Sequence, residues 1–228
     1  MTDPATPPAE GDDQRATILR HLCAAYAVAV VRTRTIEQAR AAAHALIAGG
    51  LTTIEITMTV PDAPHLIGEL VKDYQEHTQI LIGAGTILTP ADARAALDGG
   101  ARFLVSPVAP PGLVELAHAA HVPMVLGGLT PTEIVTALGL GADMVKVFPV
   151  GVVGGPAYLQ AILGPFPDLP LMASGGPRLT DLPAYRRLGV QTVALTTAIL
   201  PPDLVAGGDW EGITRLARAA AAALHERE

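Results

Sequence analysis

The chain has 228 residues and a formal net charge of −7 with no basic run, which argues against a nucleic-acid partner. Hydrophobic residues make up 50% and aromatics only 4%, so a single domain with a large aliphatic core is expected. The one cysteine, Cys23, excludes an internal disulfide and cysteine-rich metal spacing.

Residues 1–12 are rich in Pro, Ala and acid and read as a disordered tail. They lack the basic start and apolar run of a secretory leader, and the lone cysteine makes a cytoplasmic protein the simplest expectation. No run is long and apolar enough for a membrane span. The barrel domain is expected over 13–228. A helix is predicted over 12–26, where Ile18, Leu19, Leu22, Cys23 and Tyr26 fall on one face; it would close the base of the fold.

Eight short apolar runs follow, at 28–31, 53–58, 80–84, 103–106, 124–127, 144–148, 171–174 and 192–195. Both faces of each are apolar, as in strands of a buried parallel sheet. Amphipathic segments separate them. Thr35, Thr89 and Thr130 stand as N-caps, two of them followed by proline at the first helical position. Glycines at 49/50, 99/100, 139/141 and 189 supply C-terminal caps. The predicted helix over 180–188 leads into strand eight, and a last helix spans about 209–224. Strict alternation of eight strands with eight helices predicts a (β/α)₈ TIM barrel with an extra N-terminal helix. An open doubly wound sheet is the alternative.

In such a barrel the chemistry lies at the C-terminal strand ends. Lys146 stands out there. The chain uses thirteen arginines but two lysines, Lys72 and Lys146. Lys72 falls in a polar helical stretch, whereas Lys146 interrupts Met-Val-Lys-Val-Phe-Pro. A lysine can shed its proton and attack a carbonyl, which a guanidinium cannot, and desolvation favours the neutral amine. The competing reading is a structural ion pair. Glu55, in Thr-Ile-Glu-Ile, is a candidate proton shuttle for the same chemistry or the other half of that pair. Arg32 could grip a carboxylate or form a rim salt bridge. The small-residue segments 83–86 and 174–176 could bring backbone N–H groups to an anion or be plain turns. The seven histidines form no ligand cluster; His118 and His121 fall on a helix expected outside the barrel. No metal and no cofactor are expected.

Taken together, 48–63 (Ala-Gly-Gly through Ile-Glu-Ile-Thr-Met-Thr-Val-Pro-Asp-Ala), Ile-Gly-Ala-Gly-Thr (82–86), Val-Ser-Pro (105–107), Pro-Thr-Glu (131–133), Val-Lys-Val-Phe-Pro (145–149), Gly-Pro-Phe-Pro (164–167) and Ser-Gly-Gly (174–176) resemble a known family. It is that of the 2-keto-3-deoxy-6-phosphogluconate (KDPG) aldolases, many of which also cleave 4-hydroxy-2-oxoglutarate (KHG). The resemblance implies a metal-free class I aldolase, typically a homotrimer, that cleaves a 2-keto acid to pyruvate and an aldehyde. It makes Lys146 the Schiff-base lysine and Glu55 the general acid/base. Thr86, Pro107 and Phe148 match the pyruvyl pocket, and Ser174, Gly175 and Gly176 the phosphate loop. Two positions depart from the family pattern. Thr59 stands where many members carry a carboxylate-binding arginine, which leaves Arg32 as the substitute. Leu195-Thr196-Thr197 replaces a glycine-rich segment, with Thr197 expected at the substrate. The second change makes KHG or a non-phosphorylated 2-keto-3-deoxy acid more plausible. The rival readings are a sugar-phosphate epimerase and a catalytically inactive barrel that serves as a binding protein.

Overall fold

The computed structural model describes residues 10–225. Eight parallel strands close into one barrel in chain order: β1 (Ala27–Val31), β2 (Thr53–Thr57), β3 (Leu81–Gly85), β4 (Leu104–Val105), β5 (Met124–Gly128), β6 (Met144–Val147), β7 (Leu171–Ala173) and β8 (Thr192–Leu195). The β1–β8 pairing, with Ala29 opposite Leu195, completes the ring and rules out the open sheet. Before β1 comes α1 (Glu10–Ala25). The expected tail therefore ends earlier than residue 12, and its first nine residues lie outside the described residues.

Helices α2 (Ile36–Ala48), α3 (Ala63–Asp73), α4 (Pro90–Asp98), α5 (Leu113–Ala119), α6 (Pro131–Gly139) and α7 (Pro156–Leu163) follow successive strands. The threonine caps form as expected. Thr35 Oγ1 accepts from Gln38 N at 3.2 Å, and Thr89 with Asp92 and Thr130 with Glu133 make reciprocal capping boxes. The segment read as one helix over 180–188 is instead a 3₁₀ turn, Leu179–Asp181, followed by α8 (Leu182–Arg187). Asp181 is held by the Arg178 side chain, which fixes the turn before the helix begins. After β8 the chain adds a short helix absent from the sequence reading, α9 (Pro202–Gly207), and then α10 (Trp210–His225).

Strand parity divides the core into two layers. Ile54, Ile56, Ala84, Leu126, Val145, Val147 and Leu195 point outward to the helices. Val28, Val30, Leu81, Phe103, Val125, Met144, Met172 and Ala194 fill the barrel's inside, where Ile18 and Leu22 of α1 pack against them as a plug. Each such fully buried aliphatic chain contributes roughly 1.5–3 kcal/mol. The N-terminal end of the barrel is thus dry and closed, and polar inward positions are left to the opposite end. His118 lies outside the barrel, its Nε2 2.8 Å from Asp143.

Candidate active site

Inward parity on β2 runs through Thr53, Glu55 and Thr57, all fully buried. Glu55 sits between Val30 of β1 and Gly83 of β3 in the sheet register. Neither carboxylate oxygen has a hydrogen-bond partner among the described residues. Burial pushes the Glu55 carboxyl above the usual carboxylate range, and the charges of Lys146 and Arg32 pull it partly back. A carboxyl whose hydrogen-bonding capacity is unused inside a core is costly, which suits a group that meets its partner only when a ligand arrives.

Lys146 projects from β6, paired with Gly127 on one side and Met172 on the other. It is 4% exposed, and its Nζ lies 5.4 Å from the centre of the Phe148 ring. Lys72, by contrast, is exposed on α3. The one lysine buried in the barrel therefore shares its interior with a buried carboxylate whose charge it senses.

The glycines around these two side chains make space. A Cβ on Gly85 would lie 1.7 Å from Glu55 Oε1, and one on Gly83 would enter the Phe103 ring at 2.4 Å. A Cβ on Gly127 would strike the Pro107 backbone at 2.1 Å. Gly83 and Gly85 are thus strand residues that leave room for Glu55 and Phe103, which corrects their reading as an anion-binding loop. At the strand ends, Arg32 Nη2 donates to Thr86 Oγ1 at 3.2 Å. Thr86 holds φ at +59°, which for a β-branched residue costs on the order of 1–3 kcal/mol and is typical of ligand sites. Pro107 and Phe148 line one cavity of about 350 Å³ with Gly127 and Gly128. Among the described residues no group of three or more His, Cys, Asp or Glu could hold a metal ion.

A model of the KDPG and KHG aldolases matches residues 18–216. The chain is 39% identical over 180 residues to the 2-dehydro-3-deoxy-phosphogluconate aldolase of Pseudomonas aeruginosa, covering 78% of this chain and 80% of that one. It is 31% identical to the KHG/KDPG aldolase of Escherichia coli K12, over 85% of this chain and 89% of the relative. Among solved structures, a KDPG aldolase from Legionella pneumophila, with pyruvate captured as a covalent carbinolamine intermediate, superposes with a TM-score of 0.79 at 29% identity. That match covers 89% of this chain and 97% of the other. The chain belongs to the KDPG and KHG aldolase family. It is a carbon–carbon lyase of the Schiff-base class.

The remaining residues singled out from the aldolase's sequence take unequal places. Ser174 is buried, and its carbonyl accepts from Val150 N at 2.8 Å. Gly175 and Gly176 both hold positive φ, 76° and 110°, which side chains rarely adopt. A Cβ on Gly175 would also enter the Phe148 ring at 2.7 Å. With Gly151, Gly154, Gly155 and Arg178 these two line a cavity of about 590 Å³. Thr59 is exposed and hydrogen-bonded to Thr57 Oγ1 at 2.9 Å. Thr197 is exposed too. On β8 the buried inward series is Thr192 and Ala194, and Thr196 and Thr197 lie in the turn that follows the strand. The Thr196 carbonyl is taken up by the turn, accepting from Ile199 N and Leu200 N. The turn of backbone after Val147 also went unread: Val150–Val153 is a 3₁₀ turn whose Gly151 N donates to Gly175 O at 2.8 Å.

Proposed function

We propose that this aldolase works through an imine on Lys146, with Glu55 moving the protons, and that it needs no metal ion. The observation that carries the reading is the buried lysine amine in one barrel with a buried carboxylate whose oxygens have no partner among the described residues. Lys146 Nζ attacks C2 of the 2-keto acid; the carbinolamine loses water and becomes an iminium. The Glu55 carboxylate takes the C4 hydroxyl proton. The C3–C4 bond breaks, its electron pair flows toward the iminium nitrogen, and an aldehyde departs from the enamine. Glu55, now protonated, returns the proton to C3, and water adds to C2 to free pyruvate and the amine. The apolar surroundings supply positioning and favour the neutral amine.

Arg32, held by Thr86, is the carboxylate-binding group in this reading, because Thr59 offers only a hydroxyl. Pro107 and Phe148 wall the pyruvyl pocket. Ser174 with Gly175 and Gly176 form half of a phosphate site. Strand eight lacks the glycines that would let backbone N–H groups approach closely, so Leu195, Thr196 and Thr197 restore the other half only in part in this reading. The substrates are accordingly KDPG, KHG and non-phosphorylated 2-keto-3-deoxy acids, without strong preference for the phosphorylated one. The family resemblance supports a cytoplasmic homotrimer, which light scattering would test.

Borohydride reduction in the presence of pyruvate tests the central claim. One pyruvyl group should be found on the peptide that contains Lys146. Label on Lys72, or no label in active protein, overturns it. An epimerase or an inactive binding barrel would take no label at all. Activity should survive exhaustive EDTA treatment; loss that a divalent ion restores would overturn the metal-free part.

A further inference from the structure

We propose that this chain carries a second ligand site at the opposite, N-terminal end of the barrel, built for a small organic anion: a carboxylate or phosphate monoester on a compact apolar body. A cavity of about 410 Å³ opens there between α1, the end of α3 and the segment that leads into β4. That volume is in the range of small-molecule pockets. Its floor is apolar, with Ile18, Leu81 and Ile82 each 3% exposed or less, and Val71, Tyr74 and Ile80 are the partly exposed apolar wall. Its polar lining includes His21, His77 and Arg102, with no carboxylate among the described residues.

The charge balance makes this unusual for the molecule. The chain has a net charge of −7, yet here an arginine and two imidazoles line one cavity, and no carboxylate is among its described lining residues. Arg102 has no ion-pair partner among the described residues. Asp73, at the end of α3, lies 3.8 Å from His44 Nε2 of α2. The His77 ring is set edge-on against Tyr74, ring centres 5.9 Å apart, and the Tyr74 hydroxyl is engaged by His44 Nδ1 at 2.7 Å. Tyr74 therefore presents its ring to the cavity wall. An apolar wall beside the Arg102 guanidinium selects an amphipathic anion: the body displaces water from the partly exposed Val71, Tyr74 and Ile80, and the head meets the guanidinium in a charge-assisted fork. A bare inorganic ion would use only the guanidinium.

Isothermal titration of the full-length protein, its Lys146 first capped by pyruvate and borohydride, tests the site with benzoate, phenyl phosphate, inorganic phosphate and neutral phenol. Benzoate or phenyl phosphate should bind with one equivalent per chain, and whichever binds more tightly identifies the head group. Phenol and inorganic phosphate should bind at least about tenfold more weakly, each lacking one half of the recognition. Arg102→Gln and His77→Gln should each weaken that binding about tenfold and leave the kcat/KM for aldol cleavage of the uncapped enzyme unchanged. Absence of saturable binding by both organic anions overturns the proposal. So does binding that both variants retain in full, since it would then belong to the catalytic end.

Discussion

The Gly85→Ala variant isolates the position of Glu55 from its chemistry. The φ of Gly85 is not among the positive ones, so alanine can take its extended backbone without strain. The new methyl carbon would stand 1.7 Å from Glu55 Oε1, 2.3 Å from its Cδ and 2.7 Å from its Cγ. Relief to an ordinary contact of about 3.5 Å requires the carboxylate to retreat by about 1.5–2 Å. Because the atoms in the way are the far end of a flexible side chain, the stability cost should stay near the low end of overpacking, about 1 kcal/mol. A misplacement of about 1 Å at a reacting group costs on the order of a hundredfold in rate. The kcat for aldol cleavage, followed by coupled detection of pyruvate, should therefore fall about a hundredfold while borohydride still traps pyruvate on Lys146. Gly83→Ala provides the contrast: it meets the Phe103 ring at 2.4 Å and should lose about 1–3 kcal/mol of stability with a smaller rate effect. If Gly85→Ala turns over within about threefold of the wild type, the carboxylate position read from the structure is not the reactive one.

Burial raises the Glu55 carboxyl, against the opposing charges of Lys146 and Arg32. The unfolded chain thus ionises first as pH rises, and native stability is full below the ordinary carboxylate range and lost through the raised value. The Tm of Glu55→Gln relative to wild type should climb with pH across that window and then level; a constant difference from about pH 4 to about pH 8 would contradict it. Arg32→Gln should raise KM for KDPG and KHG alike by about tenfold with a smaller change in kcat; an unchanged KM would move the carboxylate contact elsewhere. Comparison of kcat/KM on KDPG, its non-phosphorylated analogue and KHG should give values within about a hundredfold, since one lost phosphate contact is worth roughly 1–3 kcal/mol. A preference for KDPG of about a thousandfold or more would mean that strand eight still builds a full phosphate site.

Much of this was legible in the sequence because it was written locally. Thr35, Thr89 and Thr130 announce their helices through side chains that bond three residues on. The boundaries of β8, Thr192–Leu195, follow from a short apolar run between turn residues. Lys146 was visible because a chain that otherwise uses arginine placed a lysine in an apolar strand. What failed depended on three-dimensional neighbours. An apolar run does not say where its strand stops, so the path of Thr196 and Thr197, which lie in the turn after β8, could not be read from it. Gly83 and Gly85 look like loop glycines until Glu55 and Phe103 are seen in the space they leave. The two-residue β4 is shorter than its apolar run, 103–106, and beyond it the Ser106 side chain accepts from Val108 N at 3.2 Å. Closure of the sheet itself cannot be derived from periodicity, which is the same in an open and a closed array.

The placement of small residues explains how a closed barrel of this size contains a site at all. A barrel of eight strands has an interior that ordinary side chains fill completely, and the lower half here obeys that rule with Val, Leu, Phe and Met. In the upper half one strand neighbour of each ionisable group has no side chain, Gly83 beside Glu55 and Gly127 beside Lys146, while Val30 and Met172 stand on the other side; Gly85 leaves room for the Glu55 carboxylate. The Glu55 carboxylate thus passes a neighbour without a side chain, and the barrel beneath the two ionisable groups is filled by apolar side chains. The dry lower layer also keeps water from the amine and carboxylate from below, so their desolvation is a property of the fold rather than of the bound substrate. Fold and chemistry therefore constrain the same positions: alanine at 83 or 127 would meet packed atoms, Phe103 or the Pro107 backbone, whereas alanine at 85 would meet the carboxylate that the reaction needs.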